Sequence, residues 1–341
     1  MLNHLVFGAG LIGCYLGANL QYNKQRVTLI CREHIADKLS KGIVLTDYLQ
    51  HRIAVEPIPS LTSVVDAMDS FDVIWLTVKC TAVETALAQL RLIVGSKTTL
   101  VCCQNGLGSE QLVKQAFPDN QVLRAMVPFN VVELADGHFH RGSQGTFAIE
   151  DNPANFNFVT DLVSHIESPV LEASICNDMD SLLWAKLQLN LGNSINALAD
   201  IPVKAMLQQR KYRQVIAQMM RELLLVTDAK SIELPKVTSI SAHYLPVILN
   251  LPDWLFKIVA NRMLAIDENV RTSMWWDISQ AKPTEIDYLN GAIVEQAKLL
   301  GISTPVNQKV IELIYQLSNN KLQNKRKITG KQLYNLVMPK I

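Results

Sequence analysis

Three groups of residues have the types and spacing to do chemistry. The first is Gly8-Ala9-Gly10-Leu11-Ile12-Gly13, which follows the apolar run Leu5-Val6-Phe7. Ile12, Tyr15, Leu16 and Leu20 then recur at helical spacing. Three glycines so placed between a strand and a helix form a dinucleotide fingerprint. Gly8 permits the tight turn, Gly10 lets a pyrophosphate approach the backbone, and Gly13 lets helix and strand close up. The amides from Gly10 through Leu11 and Ile12 to Gly13 stand at the positive end of that helix and would hold the pyrophosphate. The second group is Lys186, Asn190 and Asn193, spaced i, i+4, i+7 among Leu183, Trp184, Leu187, Leu191 and Ile195. A polar stripe on an apolar helix is costly to bury unless it meets a ligand or a hydrogen-bonded network.

The third group lies just beyond predicted strands. Arg32 follows Val27–Cys31, Lys79 follows Val73–Val78, and Asn105 sits in Gln104-Asn105-Gly106-Leu107-Gly108 after Thr99–Cys103. At the end of the second strand of a dinucleotide fold an acidic residue takes the ribose 2′-hydroxyl, whereas an arginine accommodates a 2′-phosphate. Here Glu33 comes only after Arg32, so the expected cofactor is NADP rather than NAD. Lys79 either adds a second cation to that phosphate or simply starts a helix over Thr81–Leu92. The Asn105 amide lies near a nicotinamide or substrate, or else belongs to a plain Asn-Gly turn.

Alternating strands and helices must position these residues. Beyond the strands above, the pattern predicts a small strand pair in Gly42–Val55, a strand at Val122–Met126 and antiparallel strands between Phe129 and Glu150. A helix over Phe158–Glu167 and a last strand over Val170–Ile175 follow. His138 and His140 face one way on a strand without an apparent third ligand, so no metal site is expected. From Asp178 onward the pattern is helical, which divides the chain into residues 1–176 and 177–341. The helices expected there are Asp178–Ala199, Lys204–Asp228, Trp254–Ser279, Thr284–Leu300 with Pro283 in its first turn, and Val306–Ser318. Met206, Met219 and Met220 read as core filler, and Lys321–Lys331 as a solvated basic segment.

Composition narrows the class. Of 341 residues 49% are hydrophobic and 18% charged, which suits a compact globular protein with room for two domains. A formal net charge of +1 gives no case for nucleic acid or an anionic membrane. Tyr244–Ala265 comes nearest to a membrane span but is interrupted by Pro246, Pro252, Asp253, Lys257 and Arg262. Six cysteines show neither C-x-x-C nor zinc spacing, and a reducing cytoplasm fits them best.

Together these segments resemble the ketopantoate reductase (2-dehydropantoate 2-reductase) family over almost the whole chain. The most specific stretch is Pro283-Thr284-Glu285-Ile286-Asp287-Tyr288-Leu289-Asn290-Gly291, continued by Gly301-Ile302 and Pro305. Trp184-Ala185-Lys186-Leu187-Gln188-Leu189-Asn190 is similar to the family's lysine helix, and Thr77-Val78-Lys79 and Gln104–Gly108 to its N-terminal motifs. The resemblance implies a Rossmann domain followed by an all-helical domain like the C-terminal domain of 6-phosphogluconate dehydrogenases, with the site between them. It implies NADPH-dependent reduction of the 2-keto group of ketopantoate to pantoate, for pantothenate and coenzyme A synthesis, by a monomer or homodimer. Lys186 would be the general acid, Glu285 would bind the substrate hydroxyl, and Asn190 and Ser273 would hold substrate polar groups. Asn105 would position substrate and nicotinamide, while Arg32 and Lys79 would grip the 2′-phosphate. The family's asparagine eight residues after the lysine falls on Ser194, flanked by Asn193 and Asn196. Two other classes share parts of this pattern: a hydroxy-acid or opine dehydrogenase with NADP, and an NADP-binding sensor without turnover.

Overall fold

The computed structural model describes residues 1–67, 70–238, 240–264, 268–319 and 327–338, the side chains of 262 and 263 excepted. Its chain separates into two compact units, Met1–Met179 and Asp180–Ile341. In the first unit the apolar run before the glycines is β1 (Asn3–Phe7), and the helix after them is α1 (Leu11–Tyr22). Strand β2 (Arg26–Ile30) and helix α2 (Glu33–Leu39) follow. Next come β3 (Ile43–Asp47), β4 (Arg52–Val55), β5 (Ser60–Leu61) and β6 (Val73–Leu76). Helix α3 (Val83–Leu90), β7 (Thr99–Cys102), α4 (Ser109–Ala116) and β8 (Val122–Met126) complete the parallel core. Strands β9 (Val131–Ala135), β10 (His138–Arg141) and β11 (Phe147–Glu150), helix α5 (Phe156–Ile166) and β12 (Ala173–Cys176) end the unit.

The main sheet has the order β12-β11-β8-β7-β6-β1-β2-β5. Chain order reverses at β1, which pairs in parallel with both β2 and β6. Ligands of open α/β sheets collect beyond the strand ends at such a point. Phe7 stands opposite both Ile30 and Leu76, and Leu76 opposite Cys102, so four strands stop at one edge. β1 feeds a core on each face of the sheet. Val6 packs in the cluster with Leu16, Leu29 and Trp75, while Leu5 and Phe7 pack with Ile74, Leu76, Val83 and Val113. Strands buried on both faces read as continuous apolar runs, which is why they were legible.

The region between Phe129 and Glu150 holds the expected antiparallel pairings, β9 with β10 and β11 with β8, but they fall in two different sheets. β11 joins the main sheet antiparallel to β8, whereas β9 and β10 form a second sheet of order β4-β3-β10-β9. There β10 runs parallel to β3, with His138 opposite Val44. That pairing joins segments far apart in sequence, so local alternation could not reveal it. The last strand also begins later than expected, at Ala173, because Val170 and Leu171 are fully buried in a turn closed by a Ser168–Leu171 bridge.

The second unit is helical. The expected helix Asp178–Ala199 is two, α6 (Met179–Asn190) and α7 (Gly192–Ala199), divided in front of Gly192, a residue that weakens a helix interior. Lys204–Asp228 likewise divides into α8 (Val203–Leu207) and α9 (Arg210–Ala229), because Gln209 is extended. Buried Arg213 stabilises that break. Its guanidinium donates to the carbonyls of Leu207, Leu249 and Leu251 and pairs with Asp253 at 2.9 Å. Helix α10 (Leu245–Leu249) is thereby tied to α9.

Trp254–Ser279 is not one helix. It contains α11 (Asp253–Val259), a 3-10 turn Asn261–Leu264 and α12 (Ser273–Ser279), with residues 265–267 outside the description. Val270 is recruited instead into a backbone bond from Val203. Pro283 does not open the next helix either. That helix begins with a π turn, Asp287–Gly291, continues as α13 (Ala292–Leu299) and ends at left-handed Gly301. A buried network holds the widened turn. Asn290 donates to Asn307 at 2.9 Å, and Asn307 donates to Glu222 at 2.7 Å. Glu222 also accepts the Val306 and Asn307 amides that open α14 (Pro305–Ser318), while burial pushes its carboxyl pKa up. The final helix is α15 (Gly330–Val337); most of the basic segment Lys321–Lys331 lies outside the described residues.

Candidate functional site

At the sheet edge each fingerprint glycine meets a different constraint. Gly8 has φ +102°, and a Cβ there would lie 2.6 Å from a Val78 methyl. A Cβ on Gly13 would lie 2.5 Å from the Gly8 carbonyl oxygen and 2.8 Å from the Thr77 hydroxyl. Real Cβ atoms do not approach backbone so closely, so both positions are fixed by the fold itself. Gly10 is different: a Cβ there would meet nothing within 4 Å. The fold itself does not require glycine at that position. Gly10 is also the N-cap of α1 and makes no side-chain hydrogen bond to it. Leu11 is exposed and Ile12 half-buried in that first turn.

The other cofactor candidates arrive at the same edge. Arg32 is exposed and caps α2 directly after β2 and Cys31. Lys79 is exposed and caps a 3-10 turn, Cys80–Ala82, directly after β6 and Thr77-Val78. Asn105 is half-buried in the turn after β7, where its carbonyl accepts the Cys80 thiol at 2.9 Å and Gly106 has φ +80°. Two neighbours that hold this edge were visible in the sequence only as parts of motifs. The Thr77 hydroxyl donates to the Gly8 carbonyl at 2.8 Å, tying the glycine turn to β6. The Gln104 amide donates to the Leu76 and Val78 carbonyls, fixing the loop that presents Lys79. Their signal was position: each follows a buried strand at the edge where four strands end.

In the helical unit, Lys186 and Asn190 lie half-buried on α6, and Asn193 half-buried on α7. The stripe thus survives the division of the expected helix, since Leu191 at the junction keeps helical angles. Ser194 is fully buried and donates to the Leu191 carbonyl at 3.1 Å, so its hydroxyl is engaged within the helix. Asn196, also fully buried, donates to the Ile201 carbonyl and accepts from the Thr272 backbone amide at 3.1 Å. Thr272 further donates its hydroxyl to the Asn193 carbonyl at 3.3 Å. The residue after it, Ser273, is exposed and opens α12 beside the stripe. Glu285 is buried in the segment entering the π turn, and its carbonyl accepts from the Tyr288 and Leu289 amides.

Other reactive groups have structural roles. Burial pushes the Cys14 and Cys102 thiols up to about 12, so both stay protonated and inert. His138 and His140 share the Thr46 hydroxyl at 3.0 and 2.9 Å. Among the described residues no group of three or more His, Cys, Asp or Glu side chains could hold a metal ion. No helix among them is long and apolar enough to cross a membrane.

Comparison with known proteins identifies the family. Residues 4–154 match the family model "Ketopantoate reductase PanE/ApbA", and residues 178–318 match its C-terminal model. The chain is similar to the 2-dehydropantoate 2-reductase of Streptococcus pyogenes, 24% identical over 324 residues that span 91% of this chain and 96% of the relative. It is 22% identical to that of Aquifex aeolicus over 319 residues, 92% of this chain and 96% of the relative. A ketopantoate reductase structure from Ralstonia eutropha superposes with a TM-score of 0.77 at 21% identity, covering 94% of this chain and all of that one. A D-mandelate dehydrogenase with NADH and anilino(oxo)acetate shares the fold at a TM-score of 0.74 and 18% identity, covering 93% of this chain and 99% of that one. With both of its units matched, the chain belongs to the ketopantoate reductase family and is a pyridine-nucleotide-dependent oxidoreductase.

Proposed function

We propose that this protein reduces the 2-keto group of 2-dehydropantoate to pantoate with NADPH, the step that supplies pantothenate and coenzyme A synthesis. The observation that carries the reading is the Lys186–Asn190–Asn193 stripe, half-buried in a unit whose partner unit carries an open glycine turn. The vacancy beside Gly10 and the uncapped end of α1 fit a pyrophosphate. The amides from Gly10 through Leu11 and Ile12 to Gly13 would hold it, with Arg32 and Lys79 on the 2′-phosphate and Asn105 near the nicotinamide. Bound NADPH supplies the hydride that reaches the carbonyl carbon. The Lys186 ammonium stabilises the charge growing on the carbonyl oxygen and transfers its proton there, completing the hydroxyl. Glu285 accepts a hydrogen bond from the substrate's hydroxyl, and Asn190 and Ser273 hold its remaining polar groups. The free thiols suit a reducing cytoplasm, and the working species is a monomer or homodimer.

The test is consumption of NADPH with ketopantoate and formation of pantoate. Turnover with NADPH well above NADH is expected; binding of NADPH without reduction of any keto acid would overturn the reading and leave a nucleotide sensor. A second reading, reduction of a different 2-keto acid by the same residues, is favoured by Ser194. It is fully buried and donates its proton to the Leu191 carbonyl, so it presents no accessible donor where the family pattern places an asparagine. A keto-acid panel separates the two.

A further inference from the structure

Helix α12 carries Ser273 at its first position and Trp276 one turn later, a spacing that puts both on a common side of the helix. Both are exposed, Trp276 by 52%, while Met274 and Asp277 between and beyond them are buried. Trp276 meets Trp275 edge to face, with centroids 4.8 Å apart and planes at 82°. The Trp275 indole N–H donates to Asp200 at 2.7 Å, and Arg271 lies 4.4 Å over the Trp275 ring. Arg271 donates to the same Asp200 oxygen at 3.1 Å. Asp200 is the C-cap of α7, and Thr272 is bonded to Asn193 and Asn196 on that helix. Through Trp275 and Thr272 the start of α12 is therefore tied to the helix that continues the Lys186 stripe, and Trp276 presents an exposed indole one turn from Ser273.

We propose that Trp276 is a specificity-determining residue, its indole packing against the C3 substituent of a 2-keto acid whose polar end is held at Ser273. The inference rests on the keto-acid reading above and names the class within it: 2-keto acids with bulky apolar or aromatic groups at C3. Ketopantoate, with two methyl groups on C3, belongs to that class, phenylpyruvate extends it, and pyruvate falls outside. An indole face is matched by flat or branched carbon and gains little from a bare methyl group.

The experiment compares kcat/KM for phenylpyruvate and pyruvate, with NADPH, in the wild type and in Trp276→Ala and Trp276→Phe. The wild type is expected to favour phenylpyruvate by at least about tenfold, in the range that apolar pockets discriminate. Trp276→Ala should cut that ratio at least about tenfold, and Trp276→Phe should keep most of it. A wild-type preference below about twofold overturns the inference, as does an unchanged ratio in Trp276→Ala. If Trp276→Ala fails to fold, the wild-type ratio and Trp276→Phe still decide. Ketopantoate turnover with no phenylpyruvate preference sinks this inference alone, whereas no turnover of any of the three keto acids sinks the underlying reading.

Discussion

A Cβ on Gly13 would stand 2.5 Å from the carbonyl oxygen of Gly8, so the first helix and first strand of the sheet touch through bare backbone. Gly10, between them in sequence, has no such neighbour. The two glycines therefore fail in different ways when substituted. Gly13→Ala should lower the melting temperature by several degrees, since the obstructing atom is backbone and cannot move aside. Gly10→Ala should melt close to wild type but bind NADPH at least about tenfold more weakly in a titration of intrinsic fluorescence. Equal melting and equal affinity for Gly10→Ala would remove the pyrophosphate from that turn.

Lys186 and Glu285 are expected to separate kinetically. Lys186→Ala should lower kcat by at least roughly a hundredfold with an unchanged circular dichroism spectrum, the scale of a lost general acid. Glu285→Ala should act mainly on KM for ketopantoate, because it removes substrate binding rather than proton transfer. A folded Lys186→Ala enzyme with near-normal turnover would take the acid role from that residue.

Arg32 is expected to set the preference for NADPH over NADH. Exposed at the cap of α2, it contributes little to packing, so Arg32→Ala should leave stability alone. The ratio of kcat/KM with NADPH to that with NADH should fall at least about tenfold, since a bidentate cation is lost from the phosphate. An unaltered ratio would put the arginine elsewhere.

Asn196 touches no proposed ligand, yet it holds the residue before Ser273. Asn196→Ala strands the half-buried Thr272 amide and the buried Ile201 carbonyl, which should cost about 1–3 kcal/mol in urea unfolding. At temperatures where the variant is folded, KM should rise more than kcat falls, because Ser273 is displaced and Lys186 is not.

His4 sets an acid limit. Fully buried in β1, it accepts the Trp75 indole N–H at its Nδ1 (3.1 Å), so its own proton sits on Nε2, where no acceptor faces it. Burial, with His165 nearby, lowers its pKa to about 3. Unfolded chains take up this proton below about pH 6.5 and the native state does not, so stability is full above 6.5 and declines as pH falls toward 3. The loss reaches about 5 kcal/mol at the acid end of the window. His4→Gln, neutral with an acceptor kept for Trp75, should flatten the dependence between about pH 6.5 and 4 in urea midpoints. An equally steep decline in the variant would move the acid sensitivity to other groups.

Much of this protein was legible in its sequence because the decisive signals are local. Gly8, Gly10 and Gly13 mark their turn by lacking side chains, the strands Val73–Leu76 and Thr99–Cys102 by being apolar on both faces, and Arg32 by standing where a strand must end. Those runs marked where strands end; their order in the sheet came only from the structure. Local signals overreached in the helical unit. Apolar periodicity continues through Leu191, Gln209 and Ala260, but buried polar groups decide where each helix stops. Arg213 closes the gap after Leu207, and Asn196 pulls Thr272 out of helix. The widened turn at Asp287–Gly291 accompanies the Asn290–Asn307–Glu222 chain, whose members come from three distant segments. Likewise β10 found β3 across the first unit to make a second sheet that no stretch of sequence announces. The sequence by itself determined the strand–glycine–helix start and the family motifs from which the nucleotide and keto-acid residues are proposed, since both are short-range patterns. Only the tertiary structure decided that Ser194 is engaged inside its helix, that Ser273 follows a residue pinned to α7, and that Trp276 is held beside it. Each of those depends on which distant donor reaches which carbonyl, and pairing at a distance leaves no periodic trace along the chain.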